Sequence, residues 1–213
     1  EVKTDYQESF SQLSKKKDNS HKRGLNRLLG GANMIDKVGG VRIGGELNEY
    51  LVALWKDLQN GRVMPTTITK EEYYRVKGNK DEDKALTAFV GFLCSFGGKW
   101  FGGYAKNSKE DNYADRGSRV LQKQIEKLKD VDFVNCSYEE LEIPPMSLIY
   151  CDPPYKGTTK YKDGFDHEKF YQWCRDKVKE GHTVFLSEYS APDDFTCVWE
   201  KEVKTVLDKN RQD

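Results

Sequence analysis

Hydrophobic and polar positions in the first part of the chain predict a short helix, a strand and a longer amphipathic helix. Residues 32–38 place apolar side chains on one helical face, and 41–46 alternates briefly as a strand does. The segment 48–59 then repeats apolar residues at helical spacing, with Gly61 beyond its end. By contrast, residues 1–25 follow neither period and contain a run of lysines, which predicts a poorly patterned N-terminal arm.

The last third of the chain predicts strands that alternate with helices. We expect helices over 118–128 and 167–179. Strands are expected over 131–135, 147–151 and 183–187, and one or two antiparallel strands over 195–207. The strands at 147–151 and 183–187 are mostly apolar, as is typical of parallel strands covered on both faces. This order of elements predicts an α/β fold around a mostly parallel sheet.

The stretch between these two parts has a different composition. A polar, charge-rich helical segment over 70–84 leads to the run 95–104, in which pairs of glycines alternate with aromatic residues. Glycine permits positive φ angles and a close approach of the backbone, so this run does not continue the regular pattern on either side. We therefore predict one main domain, formed by 26–64 and 119–213, with an inserted region at 65–118.

Composition limits what the chain can do. With 35 basic and 35 acidic residues among 213, it has no net formal charge, so any surface that binds phosphate must be local. No apolar run approaches the roughly 20 residues of a membrane helix, and no leader peptide opens the sequence, so we expect a cytoplasmic protein. The five cysteines are dispersed without a C-x-x-C pair, and the three histidines are scattered, which indicates reduced thiols and no metal site.

Candidate chemistry lies in three segments that we expect at the carboxyl ends of the strands. In open parallel sheets, ligands bind beyond the carboxyl ends of the strands. The residues found there are Gly30, Gly31 and Asn33 in a glycine turn, then Glu46 and Asn48, then Asp152, Pro153, Pro154 and Tyr155. A carboxylate at the position of Glu46 suits both hydroxyls of a ribose.

The sequence Asp152 to Tyr155 carries the most information. Its two prolines fix two φ angles and remove two N–H donors, which leaves a rigid turn with outward carbonyls. A carboxylate beside a free carbonyl can accept both hydrogens of an amino group on a planar ring, and Tyr155 offers that ring a stacking face. The pattern favours a pocket for the exocyclic amine of a nucleobase. The competing interpretation is a stiff turn without chemistry.

These motifs together resemble the N6-adenine DNA methyltransferases of the Dam-like, D12 class, particularly the phage-type members. The resemblance covers about residues 30–207 and rests on the glycine turn, on Glu46-Leu47-Asn48, on Asp152 to Tyr155 and on Phe185 to Tyr189. It implies a Rossmann-like methyltransferase sandwich in which the inserted region recognises the DNA target. The implied reaction transfers a methyl group from S-adenosylmethionine to the N6 amino group of a flipped adenine in duplex DNA.

The resemblance also implies roles for individual residues. Asp152 and the Pro153 carbonyl would accept hydrogen bonds from the amino group, and Tyr155 would stack on the base. The cofactor would contact Gly30, Gly31, Asn33, Glu46 and Asn48, with Ser137 and Tyr138 near its adenine. For the DNA backbone, we expect contacts from Lys99, Arg116, Arg119, Lys156 and Lys160. An ordinary solvated face, with the neighbouring aromatic residues packed inward, is the competing interpretation of these charges.

Two alternative functions stay open on the sequence. The chain has Asn26 to Leu29 where the family usually has Glu-Pro-Phe, so a degenerate or truncated methylase that binds DNA at most is one alternative. The other is an enzyme of the same sheet type that methylates cytosine N4, RNA adenine or a protein glutamine. Because those cytosine and glutamine enzymes tend to have Ser or Asn at the position of Asp152, the aspartate favours adenine.

Overall fold

A computed structural model describes residues 34–105, 112–156 and 164–200, together with the backbone of 24–27. The described strands form one sheet in the order β3-β2-β1-β4-β5, and every neighbouring pair is parallel. They are β1 (Gly24–Arg27), β2 (Arg42–Glu46), β3 (Val131–Asn135), β4 (Leu148–Cys151) and β5 (Thr183–Leu186). The α/β architecture and the parallel sheet are therefore as predicted. β1 begins at Gly24, within the last two positions of the predicted arm.

Five α-helices of the described chain connect or flank these strands. They are α1 (Glu49–Gln59), α2 (Lys70–Gly78), α3 (Lys84–Ala88), α4 (Tyr113–Ile125) and α5 (His167–Lys179). A π-helical turn at Phe89–Leu93 continues α3, and 3₁₀ turns occur at Ile35–Lys37 and Phe96–Gly98. Each α-helix begins after a side chain that accepts a hydrogen bond from the first turn, which is the ordinary capping preference: Asn48, Thr69, Asp83, Asn112 and Asp166.

Some predicted elements differ from the structure. In the described part of the helix expected over 32–38, from residue 34 on, a single turn forms at Ile35–Lys37. The helix expected from residue 118 begins five residues earlier, at Tyr113. β5 is half-buried along its length rather than fully buried, because it is the last strand of the described sheet. No strand forms over 195–200, which corrects the prediction there, and 201–207 lies outside the described residues.

One face of the sheet packs against the helices of the first part of the chain. Trp55 of α1 stacks on Phe133 of β3, with ring centroids 5.8 Å apart. Tyr73 of α2 is completely buried, and its hydroxyl lies 2.8 Å from that of Ser95. These aromatic side chains belong to one hydrophobic cluster, so the region 65–105 shares its core with α1.

The other face is covered by α5. Phe170, Tyr171 and Cys174 of this helix are buried against Ile149 and Cys151 of β4. The chain therefore crosses from β4 to β5 on the opposite side of the sheet from α1. The strand order reverses between β1 and β4, and in such sheets a crevice opens at that point beyond the carboxyl ends of the strands. Glu46, which ends β2, and Asp152, which follows β4, lie at this edge.

Candidate functional site

Asp152 directly follows the most buried strand of the sheet. All four residues of β4 are buried, and Cys151 and Ile149 have no exposed surface. Asp152 itself is half-buried, Pro153 is buried, and Pro154 and Tyr155 are half-buried. The sheet therefore holds the start of the turn rigidly while leaving the carboxylate partly accessible at the carboxyl edge.

Tyr155 is fixed by polar contacts at its hydroxyl. Its Oη lies 3.0 Å from Oγ of Ser187, the residue after β5, and it also forms a hydrogen bond with Asp152. Burial raises the pKa of Tyr155 to about 12, the charge of Asp152 acts in the same direction, and the Ser187 hydrogen bond opposes both. The phenol therefore stays protonated at neutral pH. Its hydroxyl acts as a hydrogen-bonding group in this structure.

A second tyrosine lies against the first. The ring of Tyr189 meets that of Tyr155 edge to face, with centroids 4.7 Å apart and planes at 72°. Tyr189 is 65% exposed, which is unusual for so large an aromatic residue. The two rings form an aromatic surface beside Asp152.

The Pro-Pro turn is held by side chains from other elements. Nε2 of His167, the first residue of α5, lies 2.8 Å from the Pro154 carbonyl oxygen, and because a carbonyl only accepts, Nε2 carries the hydrogen. The Lys156 N–H donates to both carboxylate oxygens of Glu188, at 3.2 and 3.3 Å. These contacts join the turn to both α5 and the end of β5.

The acidic residue at the end of β2 lies in the interior. Glu46 is 7% exposed, and its Oε1 accepts the Asn48 N–H at 2.8 Å. Its backbone carbonyl accepts from the Asn135 side chain and from the Cys136 N–H, which fixes the ends of β2 and β3 together. The structure thus places an oriented carboxylate at the end of β2, and its contact with a ribose stays a prediction.

Asn48 has a structural role in the described chain. Its Oδ1 accepts hydrogen bonds from Tyr50 and Leu51, at 3.0 and 3.3 Å, and so caps α1. Gly30, Gly31 and Asn33, the other members of the predicted cofactor group on this side, lie outside the described residues.

Ser137 and Tyr138 follow β3 and face different surroundings. The Ser137 N–H donates to Oε2 of Glu140 at 3.0 Å, which closes a local turn. Tyr138 is 8% exposed, and its ring packs edge to face against Phe170 and Trp173, each with a centroid distance of 5.3 Å. Tyr138 therefore contributes to the hydrophobic core beneath α5.

The predicted DNA-binding residues are spread over three parts of the fold. Lys99 is exposed in the loop 95–104, and Arg116 and Arg119 are exposed on α4, where Arg119 pairs with Asp115. Lys156 follows the turn and pairs with Glu168 at 3.2 Å. Lys160 lies outside the described residues.

The aromatic residues beside Lys99 are largely internal. Phe101 is 7% exposed, and Trp100 packs between Phe92 and Tyr50, with centroid distances of 4.7 and 5.4 Å. The inward packing that the sequence left open is thus found for these rings. Phe96 differs, because it is 69% exposed in the same loop.

Three residues near the turn have roles that the residue patterns did not assign: His167, Ser187 and Glu188. Their contacts span 13 residues for His167 and 32 for the other two, so no local period reveals them. The available signal was positional, because Ser187 and Glu188 directly follow a parallel strand, where ligand sites of such sheets occur.

A separate groove of about 550 Å³ lies beside β3 and is lined by Ile43, Val134 and the segment 140–144. The predicted site residues do not line it.

Among the described residues, no cluster of His, Cys, Asp or Glu has the arrangement of a metal site. None of the helices in these residues has the length and apolar character that crossing a bilayer requires.

Comparison of the chain with protein-family models gives no match, and comparison with curated proteins likewise finds no relative.

Proposed function

We propose that this chain transfers a methyl group from S-adenosylmethionine to the N6 amino group of adenine in duplex DNA, and that its sheet is that of a Rossmann-like methyltransferase. The observation that carries the proposal is the turn after β4. There a partly accessible carboxylate, Asp152, lies beside a fixed tyrosine ring at the carboxyl edge of a parallel sheet. The strand order β3-β2-β1-β4-β5 supports the fold part of the proposal, since it puts β4 next to the point of reversal.

The turn would act on the amino group by accepting its hydrogens. Asp152 and the Pro153 carbonyl take one hydrogen bond each, which draws the nitrogen lone pair out of conjugation with the ring. Because prolines at 153 and 154 remove backbone freedom, the acceptors are already oriented when the base arrives. Catalysis by this arrangement is positioning and electrostatic stabilisation, and it needs no covalent enzyme intermediate.

Tyr155 would supply the stacking face for the base. An adenine inside a duplex cannot reach Asp152, so it must leave the stack, and unstacking costs a few kcal/mol. Stacking on an aromatic side chain returns about 1–3 kcal/mol per base. Ser187 and Asp152 already hold the Tyr155 hydroxyl, so the side chain would lose less conformational entropy when a base stacks on its ring.

Glu46 fits the requirement for binding the methyl donor. Its carboxylate ends β2, the strand next to β1, and one of its oxygens is oriented by the Asn48 N–H. Carboxylate oxygens in this setting can accept from ribose hydroxyls, and the glycine turn at 30–31 remains a prediction for the rest of the cofactor. When bound, S-adenosylmethionine supplies an electrophilic methyl group.

DNA binding would rest on local charge. Lys99 and Arg116 are exposed cations on the region 65–118, and Lys156 lies directly after the tyrosine. Lys156 and Arg119 are paired with Glu168 and Asp115 in the free chain, so phosphate would have to replace these carboxylates. Each exposed ion pair of this kind stabilises a protein by about 0–1 kcal/mol, so new contacts with phosphate can offset its loss.

The test is a transfer assay that uses S-adenosylmethionine with a tritiated methyl group. Its four acceptors are duplex DNA of A·T pairs without cytosine, duplex DNA of G·C pairs without adenine, RNA, and a protein that contains glutamine. The proposal expects label in the first acceptor, recovered as N6-methyladenine. Label confined to another acceptor would replace the proposal with one of its alternatives. Absence of label in all four, together with no S-adenosylmethionine binding by calorimetry, would favour the degenerate methylase.

A further inference from the structure

The turn after β4 lacks the backbone donors that usually hold a turn. Pro153 and Pro154 have no N–H, so neighbouring elements must supply part of the support. Three successive residues of the turn each contact a side chain from α5 or from the segment after β5. The Pro154 carbonyl contacts His167, the Tyr155 hydroxyl contacts Ser187, and the Lys156 N–H contacts Glu188.

His167 is the member of this set that reaches from another layer of the fold. It begins α5, directly after the cap residue Asp166, and its ring is held edge to face by Phe165 at a centroid distance of 4.9 Å. The ring of Tyr171, one helical turn further on, is also near, with a centroid distance of 6.2 Å. The imidazole is therefore fixed before it meets the carbonyl of Pro154.

The tautomer follows from the geometry. Nε2 must donate to the carbonyl oxygen of Pro154, and both the neutral Nε2–H tautomer and the imidazolium can do so. Nε2 is therefore engaged with the backbone of the turn.

We infer that His167 is a positioning residue for the acceptor pair at Asp152 and Pro153: it orients the second proline peptide, and through it the carbonyl and carboxylate that receive the amine. That this amine is the N6 amino group of adenine rests on the proposed function. Ser187 and Glu188 complete the support from the end of β5. Misplacement of reacting groups by about 1 Å can cost about 100-fold in rate, so one lost contact here has a measurable effect.

Two substitutions separate positioning from simple packing. His167→Leu keeps a side chain of similar bulk without the donor, and His167→Gln offers an amide N–H close to the position of Nε2. Gln172→Leu is the matched control on the same helix, because Gln172 is exposed and its side chain donates to Asp176 within α5. All three variants keep the Asp166 cap.

The first readout is steady-state methyl transfer to duplex DNA. We expect His167→Leu to lower kcat by about 10- to 100-fold with little change in KM, since the acceptors are displaced while the DNA contacts remain. His167→Gln should recover most of the rate, and Gln172→Leu should match the parent. A rate for His167→Leu equal to the parent rate, or a loss that His167→Gln does not rescue, would overturn the inference.

The second readout does not require activity. In hydrogen exchange followed by mass spectrometry, the peptide 151–156 reports on the Lys156 N–H that Glu188 accepts. We expect its exchange to be faster in His167→Leu than in the parent and in Gln172→Leu, with His167→Gln in between. If the parent transfers no methyl group, the proposed function fails, and these exchange rates still decide whether His167 holds the turn.

Discussion

The hydroxyl oxygens of Tyr155 and Ser187 lie 3.0 Å apart, so the turn that follows β4 is tied to the residue that follows β5. The two strands are neighbours, and Ser187 also donates its N–H to the Cys151 carbonyl. The position of the Tyr155 ring is thus set by the end of the sheet. Because this contact is made by the hydroxyl alone, a substitution can remove it and leave the aromatic ring in place.

Replacing Tyr155 tests whether its ring stacks on a base. Tyr155→Phe keeps the ring and loses the hydroxyl contact, whereas Tyr155→Ala loses both. We expect Tyr155→Ala to lower kcat/KM on duplex DNA by the equivalent of about 1–3 kcal/mol, and Tyr155→Phe to lose clearly less. Equal losses in the two variants would show that the hydroxyl, and not the stacking face, is what matters.

The exposed cations of the region 65–118 can be tested through salt dependence. Lys99→Gln and Arg116→Gln should each weaken DNA binding and reduce the slope of log K against log salt by about 1, if each residue contacts one phosphate. Lys129→Gln is the control, because Lys129 lies just before the amino end of β3 and pairs with Glu126. Fluorescence anisotropy over a salt series measures all three. Unchanged slopes for Lys99 and Arg116 would place the DNA elsewhere.

His182 makes folding depend on pH. Its Nδ1 accepts the buried Ser147 N–H at 3.1 Å, and burial lowers its pKa below the ordinary value. As the pH falls below about 6.5, His182 therefore becomes protonated in the unfolded chain before it does so in the folded chain. The stabilisation that neutral His182 gives the folded chain is therefore complete above that pH and declines in acid.

His182→Asn supplies the matched comparison, because its amide oxygen can accept in place of Nδ1 and does not titrate. Urea unfolding between pH 7.5 and pH 5 should show a smaller loss of stability for His182→Asn than for the parent. Parallel pH curves for the two chains would contradict this assignment.

Gly91 is required by close packing. A Cβ at this position would meet the Trp100 ring at 2.5 Å and the Phe101 ring at 2.9 Å, and the Phe101 N–H donates to the Gly91 carbonyl at 2.8 Å. Gly91→Ala should therefore destabilise the fold by about 1–3 kcal/mol in urea unfolding. Gly78→Ala is the control, since nothing lies within 4 Å of its Cβ, and it should cost nothing. A stable Gly91→Ala chain would show that the loop can move away.

Periodicity predicted well those elements whose ends carry clear signals. β3 and α5 have the predicted limits, because β3 alternates between the faces of the sheet, and α5 has Asp166 before it and Gly181 after it. The start of α4 was missed because Gly117 suggests a break, although the helix needs it for a close approach to Leu93, 3.1 Å from its Cβ position.

The segment after β5 could not be predicted by the same means. Phe195 belongs to an alternating pattern, but its ring packs on Tyr171 and the preceding Asp194 forms two hydrogen bonds with Arg175. These contacts with α5 favour an irregular path over a strand. They join positions 19 to 24 residues apart, which no local pattern encodes.

The site was predictable where it depends on strand ends. Asp152 and Glu46 could be placed at one edge because parallel strands share a direction. Strand order and the contact between His167 and Pro154 depend on tertiary packing, so they required the structure. The cap formed by Asn48 is a local contact with Tyr50 and Leu51, and an asparagine directly before a helix indicates it.

The most direct test of the central claim compares Asp152→Ala with the parent chain in a single-turnover assay, using tritiated S-adenosylmethionine and a duplex that contains adenine. Circular dichroism and binding of the methyl donor serve as controls for folding and for the cofactor site. If Asp152 accepts the amino group, the parent forms N6-methyladenine and Asp152→Ala is slower by about 100-fold or more. Methylation at the parent rate by Asp152→Ala would contradict the account.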